Sequence, residues 1–318
     1  MKKIVILVIG IMALAYQTLL PSKTIKYDYY ISKIALNSDY LIAGLENGEI
    51  VIKDFKNLKT LYKFSLPKIH DFMGDLIPMP IYSLDISPDN KTLLILAEGE
   101  DAVRELFLFD LKNRKLNHIF TTKQTLMKAR FINDSQVFFG LLSDEVGLYD
   151  LKTKKWIYKI QAGNYVFSTY ALNENKTKAA IGDESGAVKV IDVINGKKIN
   201  EIKGFNKDKT LSLDYKKNYI INGSSDMRVG VYTDDGALKT ALRAKFLPYA
   251  AALSPKIDNF AIQYDEANDI MVYSIYKKPL FMLKGHTMAL NGMKYLSDTE
   301  ILSFSPAEII IWKLNKKD

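Results

Sequence analysis

Short apolar runs separated by polar turns rich in Lys, Asn, Asp and Gly extend along nearly the whole chain. One phrase recurs, an apolar strand closed by a polar residue, as in VIKD at residues 51–54. Its last position recurs every 39 to 42 residues, apart from one interval of 56, at Asp54, Asp110, Asp150, Asp192, Thr233, Ser274 and Lys313. A period near 41 with four short strands per unit is typical of a β-propeller. Seven positions predict an all-β protein with seven blades.

The unit at residues 166–202 shows the pattern of one blade most clearly. Its apolar runs predict strands at residues 166–171, 178–181, 187–192 and 197–202. The tight turn Asn195-Gly196 suits a hairpin because both residue types tolerate positive φ. Asp side chains bond to nearby backbone groups and end strands. We therefore interpret the Asp that closes most third strands as a turn former, not a catalyst.

The two ends of the chain predict how the ring closes. Only six residues follow Trp312, too few for an outer strand in the last blade. Residues 24–30 have an extended pattern with no inner strand before them, so we expect them to supply that strand. Closure protects sheet edges that would otherwise recruit other chains. The interval of 56 places an inserted loop at residues 65–80.

The N-terminal residues have the layout of a secretory signal peptide. Lys2 and Lys3 precede an apolar run at residues 4–14, and Ala13-Leu14-Ala15 is an A-x-A cleavage pattern. The run is shorter than the about 20 apolar residues of a membrane span. We predict cleavage after Ala15, a single domain at residues 16–318, and a periplasmic location without a stable membrane span. The alternative is a retained N-terminal anchor.

Composition and motifs argue against an enzyme. The 318 residues include no Cys and only three His, so thiolate chemistry, disulfides and iron–sulfur ligation are excluded and a His-based metal site is disfavoured. No nucleophile elbow, zinc motif or phosphate loop is present. Residues 265–269 have calcium-like spacing but lack the Gly turn and distal Glu, so we interpret them as an acidic turn. We expect no catalytic residue, no metal and no cofactor, and a structural role for His286.

Gly285-His286, followed by Trp312, resembles one unit of a WD40 repeat, with Lys313 where that family prefers Asp. The other units lack the Gly-His pair, so the chain resembles a divergent WD40-like propeller. The whole layout, an export signal and a Lys-rich, Cys-free propeller body, resembles the NapL family. Those proteins are periplasmic accessory proteins of nitrate reductase in epsilonproteobacteria. The resemblance implies a role in maturation of the reductase or electron delivery to it, and it transfers no functional residue.

Charge is distributed unequally between the predicted turn classes. In a propeller, all turns between second and third strands lie on one face. These turns are acidic and contain no Lys, whereas the third-to-fourth turns are largely basic. The predicted acidic face holds Glu46, Glu98, Glu100, Asp101, Asp144, Glu145, Asp183, Glu184, Asp226, Asp265, Glu266, Asp269 and Glu308. An acidic face attracts basic partners. The alternative is that Asp and Glu only suit tight turns.

The inserted loop is predicted on the same face. Its apolar side chains suit an adaptable binding surface, and the candidates are Ile69, Phe72, Met73, Leu76, Ile77 and Met79. The alternative is that they plug the channel or seal the first blade.

Together these observations predict an exported, monomeric, non-enzymatic scaffold that binds a protein partner. By the NapL resemblance, that partner is a component of periplasmic nitrate reductase. Two alternatives remain, a propeller that binds a small ligand or ion at its channel mouth and an outer-membrane protein assembly factor. Nucleic acid is disfavoured because the net charge of +8 is spread over the chain and the protein is exported.

Overall fold

A computed structural model describes residues 16–315 as seven antiparallel four-stranded blades, which confirms the predicted fold class. The inner strands are Ile31–Leu36, Ile81–Ile86, Leu126–Asn133, Phe167–Leu172, Thr210–Lys216, Ala251–Leu253 and Gly292–Ser297. The second strands are Tyr40–Leu45, Thr92–Glu98, Gln136–Leu141, Lys178–Asp183, Tyr219–Ser224, Asn259–Gln263 and Glu300–Phe304. The third strands are Glu49–Asp54, Arg104–Asp110, Glu145–Asp150, Val188–Asp192, Arg228–Thr233, Ile270–Ser274 and Glu308–Lys313. The outer strands are Thr60–Ser65, Lys115–Thr122, Lys155–Gln161, Lys197–Ile202, Leu238–Arg243, Pro279–Leu283 and Lys23–Lys26.

The third strands end at the seven positions that the repeat predicts. At the four ends that carry Asp the reason is local, because the closing Asp caps the following turn. Asp192 Oδ1, for example, accepts hydrogen bonds from the backbone N–H groups of Ile194 and Asn195, both at 2.9 Å. The same turn occurs after Asp54, whose Oδ1 accepts hydrogen bonds of 2.9 and 3.0 Å from the backbone N–H groups of Lys56 and Asn57. These Asp residues are therefore turn formers.

The N-terminal segment closes the ring, as predicted. Lys23–Lys26 pairs antiparallel with Glu308–Lys313 and completes blade 7. The strand begins one residue before the predicted segment and ends four residues before its predicted end. A shorter strand, Gln17–Leu19, pairs parallel with Pro279–Leu283 of blade 6, which the sequence pattern did not predict.

The predicted signal peptide lies outside the described residues. Within residues 16–315, no helix has the length and apolar character needed to cross a membrane.

The hydrophobic core is divided into seven clusters, one at each interface between neighbouring blades. Between blades 1 and 2, for example, Ile42 of blade 1 and Ile95 of blade 2 are both completely buried. Between blades 7 and 1, Leu302 and Leu41 are buried in the same way. Burial of large aliphatic side chains contributes roughly 1.5–3 kcal/mol each. Because every blade packs against two others, such a cluster lies at every interface around the ring.

The inserted segment at residues 65–80 forms a separate hairpin of Lys68–His70 and Leu76–Pro78. Ile69 and Met79 are buried in the cluster between blades 1 and 2, and Ile77 packs against it. These three side chains seal the blades, so the prediction that Ile69 and Met79 contact a partner is wrong. Phe72 is 96% exposed and Met73 is 73% exposed at the hairpin tip.

Candidate partner-binding face

The meander order of each blade places two kinds of connection at the same end of the ring. These are the turns from second to third strands and the connections from each outer strand to the next inner strand. We call this end the front face, and the opposite end, with the other two turn classes, the back face. All thirteen predicted acidic residues lie in second-to-third turns or at the strand ends that flank them. The topology therefore brings all of them to the front face, but some are buried there and others are exposed.

Four of the predicted acidic residues are buried and cannot contact a partner. Asp144 and Asp183 are 0% exposed, Glu308 is 2% exposed and Asp269 is 5% exposed. The prediction that these four form a binding surface is wrong. Buried carboxylates need hydrogen bonds or opposite charges. Glu308 lies in a buried network and Asp144 and Asp183 lie beside a buried lysine, whereas Asp269 is paired with the half-exposed Lys284.

Glu308 belongs to a network that fixes blade 7. Its Oε1 accepts the backbone N–H of Thr287 at 3.0 Å and lies 3.3 Å from His286 Nδ1. His286 Nε2 lies 2.7 Å from Ser303 Oγ, and Trp312 Nε1 donates to the same hydroxyl at 2.8 Å. Burial lowers the pKa of His286, and Glu308 opposes that shift. The structural role predicted for His286 is confirmed.

Asp144 and Asp183 share one buried cation at the interface of blades 3 and 4. Lys189 is 1% exposed; its Nζ contacts Asp183 Oδ2 and lies 3.8 Å from Asp144 Oδ2. A Cβ at Gly163 would lie 2.8 Å from Lys189 Nζ, so the connection above the cluster is tightly packed. Both carboxylate oxygens of Asp144 are buried without a hydrogen-bond partner among the described residues. Burial raises the pKa of Asp144 to about 7, and Lys189 only partly offsets it.

Asp144→Asn is expected to change how stability depends on pH. The folded-state pKa of Asp144 lies above its unfolded value. The contribution of the Asp144 carboxyl to folding stability is therefore fully present below pH about 4 and is lost as pH rises through about 7. The free energy of unfolding of Asp144→Asn, relative to wild type, should rise by up to about 4 kcal/mol between pH 4 and pH 8. Urea unfolding at both pH values measures this. A constant difference across that range would contradict a raised pKa.

Other predicted acidic residues are paired with cations. Glu98 binds Arg104 at 2.9 Å, Asp269 binds Lys284 at 2.9 Å and Glu184 lies 3.2 Å from Lys209. Asp226 lies 3.4 Å from Arg228 and accepts the backbone N–H of Lys207. Lys209 and Lys284 lie in connections from an outer strand to the next inner strand. The sequence analysis compared charges only in the turns within blades and did not include these connections.

The remaining predicted acidic residues are divided between blades. Glu46, Glu100 and Asp101 are exposed at blades 1 and 2, with Glu100 beside His70, whereas Glu145 lies on blade 3 and Asp265 and Glu266 lie on blade 6. The connection before blade 1 and the hairpin tip add carboxylates and large apolar side chains that the sequence analysis did not assign. We define the acid–aromatic patch as Asp28, Tyr29, Tyr30, Glu46, Asp71, Phe72, Met73, Asp75, Leu76, Glu100 and Asp101.

Backbone hydrogen bonds join the segments of the acid–aromatic patch into one surface. The N–H of Glu46 donates to Tyr30 O at 2.9 Å, and the N–H of Leu66 donates to Gly48 O at 3.0 Å. The hairpin is fastened to blade 2 because the His70 N–H donates to Glu100 Oε1 at 3.1 Å and His70 Nδ1 lies 2.9 Å from the same oxygen. The patch therefore has a defined shape.

The hairpin tip is an ordered turn that presents apolar side chains to solvent. Asp71 Oδ1 accepts the backbone N–H groups of Met73 and Asp75, both at 2.9 Å. Gly74 takes a φ of +86°, which Gly adopts without strain. Phe72 and Met73 are thus held out by a bonded loop. A preorganised loop loses little conformational entropy when it binds.

Exposed large apolar residues favour the front face. Eight of them lie there, at Tyr29, Tyr30, Phe72, Met73, Leu76, Leu142, Tyr165 and Val166. Within residues 16–315, two exposed large apolar residues, Ile194 and Tyr276, lie in the turns of the back face. Exposed apolar side chains that cluster on one face mark an interaction surface. No group of three or more His, Asp or Glu side chains within residues 16–315 is placed to hold a metal ion.

Comparison with solved structures supports the fold. The chain is similar to the β-propeller domain of Cps50 (Swd1) from Myceliophteria thermophila, with a TM-score of 0.73 and 15% sequence identity. The match covers 93% of this chain and 99% of that domain. At this identity the similarity shows the WD40-like propeller fold alone. No protein-family model and no curated protein matches the chain.

Proposed function

We propose that the protein is a non-enzymatic interaction scaffold whose acid–aromatic patch binds another protein. The ordered hairpin tip carries the proposal, because Phe72 and Met73 are exposed on a loop fixed by Asp71 and by the contact of His70 with Glu100. The patch fits a partner with an apolar pocket surrounded by Lys or Arg. Apolar anchors supply most of the binding energy and the surrounding charges guide encounter.

We further propose that the scaffold acts as a monomer in the periplasm and that its partner is a component of nitrate reductase. This proposal rests on the resemblance of the whole chain to the NapL family and on the signal-like sequence at residues 1–15. The role would be maturation of the reductase or support of electron delivery to it. Co-purification of the full-length tagged protein from periplasm tests both location and partner.

Phe72→Ala/Met73→Ala is expected to weaken partner binding at least 30-fold. Loss of two central apolar anchors costs about 2 kcal/mol or more. Both side chains are exposed, so the thermal midpoint of the variant should stay near the wild-type value. Retention of the nitrate reductase component in co-purification, followed by a measured Kd, checks the effect.

Tyr276→Ala is the matched control, because Tyr276 is 90% exposed on the back face. It should leave the affinity unchanged. Equal binding by wild type and Phe72→Ala/Met73→Ala would remove the hairpin tip from the interface. Capture of outer-membrane barrel proteins in place of the reductase would support the assembly-factor alternative.

A further inference from the structure

The centre of the ring contains a cavity of about 680 Å³ that is independent of the acid–aromatic patch. Inner strands or their flanking residues from all seven blades line it, so it is the central channel. Pockets of roughly 300–1,000 Å³ are typical of sites for small molecules.

The channel wall carries an excess of positive charge. Lys33, Lys128, Arg130 and Lys294 line it, and Asp85 is the one carboxylate among its lining residues. Asp85 is already engaged, because its Oδ2 accepts the backbone N–H of Phe131 at 2.8 Å and its Oδ1 lies 4.0 Å from Arg130 Nε. Lys33, Lys128 and Lys294 form no ion pair with a carboxylate among the described residues, although the charges of Asp85 and Asp214 act on Lys128.

Two of these cations have no partner at all among the described residues. The side chains of Lys33 and Lys294 make no hydrogen bond or ion pair within residues 16–315, and both are accessible to solvent from the channel. Lys128 differs, since its Nζ donates to Thr169 Oγ1 at 2.9 Å and to Tyr170 O at 2.6 Å. Arg130 donates to Ser83 Oγ at 3.0 Å and to the carbonyl of Leu84.

The cations act on one another. Burial lowers the pKa of Lys33, and Arg130 lowers it further. Burial also lowers the pKa of Lys128 well below its usual value, with Arg130 and Lys33 adding to the shift. Even with Lys128 neutral, the other three cations outnumber the two carboxylates that act on it, Asp85 and Asp214. Enclosed like charges are costly unless an opposite charge joins them.

Cations and carboxylates both lie at the back-face end of this channel. Lys216 ends an inner strand at that side. Lys176 lies in a first-to-second turn, and its Nζ donates to Phe131 O at 2.8 Å. The charge of Lys294 contributes to the lowered pKa of both residues, so it is close enough to act with them. Carboxylates oppose these shifts, those of Asp85 and Asp134 at Lys176 and those of Asp214, Glu174 and Asp298 at Lys216.

We propose that the central channel binds a small polyvalent anion whose carboxylate or phosphate oxygens contact Lys33, Lys294 and Arg130. The wall supplies two unpaired ammonium groups and a guanidinium in a cavity large enough for an organic acid or a phosphate compound. The ammonium groups of Lys33 and Lys294 act as point charges, and the guanidinium of Arg130 is planar. Both kinds of group suit oxyanions.

Titration of the full chain with inorganic phosphate and with citrate, at matched ionic strength, tests the proposal. We expect saturable heat in calorimetry and a raised thermal midpoint with at least one of the two, and no comparable effect with chloride. Citrate alone would identify a polycarboxylate site, and phosphate alone would identify a phosphate site. No saturable binding of either, or an equal effect of chloride, would overturn the proposal.

Lys33→Gln/Lys294→Gln locates the site. The variant should bind the effective anion about 100-fold more weakly, because each charge-assisted contact contributes roughly a factor of ten. Without ligand it should be at least as stable as wild type, since repulsion is relieved. Lys112→Gln/Lys152→Gln removes the same charge from exposed back-face turns and should bind normally. Equal affinity of the two variants would overturn the channel assignment.

Discussion

Lys189→Met is expected to lower the free energy of unfolding by about 3–5 kcal/mol at pH 8, because it leaves two buried carboxylates without their cation. Asp144 and Asp183 are completely buried, and Lys189 is the cation that both approach. Met retains most of the volume of the Lys stem, so the change removes charge with little loss of packing. Urea unfolding followed by circular dichroism measures the effect.

The cost of Lys189→Met should fall at pH 4.5. At that pH Asp144 is already protonated because burial raises its pKa to about 7, so fewer buried charges lose a partner. Lys198→Met in the same blade is the control, since Lys198 is exposed and lies 3.7 Å from Glu201. It should change stability by less than about 0.5 kcal/mol. A pH-independent cost for Lys189→Met would contradict an ionised buried cluster.

The fold could be predicted from sequence because its determinants are local and repeated. Each blade repeats four short strands, and a capping Asp such as Asp54 or Asp192 marks where the third strand ends. Closure could be predicted by counting, since blade 7 lacked an outer strand. The parallel strand Gln17–Leu19 could not, because its three residues carry no periodicity and depend on the exposed edge of blade 6.

The candidate face was predicted only in part, because turn position does not determine burial. Glu46 and Glu308 occupy the same class of turn, yet Glu46 is exposed and Glu308 is enclosed by His286 and Thr287. The cation of each internal pair comes from elsewhere, as Lys284 does for Asp269. One available signal was Lys189, a charged residue in the middle of an apolar third strand, which indicates a buried partner.

The cluster of cations in the channel also could not be predicted from the sequence pattern. Lys33, Lys128 and Lys294 lie in inner strands, where single polar residues are expected on any solvated sheet face. Only ring closure turns that face into a narrow channel and brings residues from blades 1, 3 and 7 together. The relevant signal is Lys in inner strands of several blades, which becomes informative after the propeller has been inferred.

Trp312→Ala should be the most damaging single change in the last blade, at about 4 kcal/mol or more. Trp312 is 0% exposed in the cluster between blades 6 and 7, and large-to-small changes of buried aromatics cost about 3–5 kcal/mol. The change also removes the indole N–H that donates to Ser303 Oγ, which His286 and Trp312 share. Denaturant unfolding of wild type and variant gives the difference.

Trp312→Phe separates packing from hydrogen bonding in this network. It keeps an aromatic ring but loses the donor, so about 1–2 kcal/mol should be lost. Because Lys23–Lys26 pairs with the strand that contains Trp312, damage here weakens the blade that joins both ends of the chain. We therefore expect Trp312→Ala to speed hydrogen exchange in blade 1 as well as in blade 7. Faster exchange confined to blade 7 would show that ring closure does not depend on this residue.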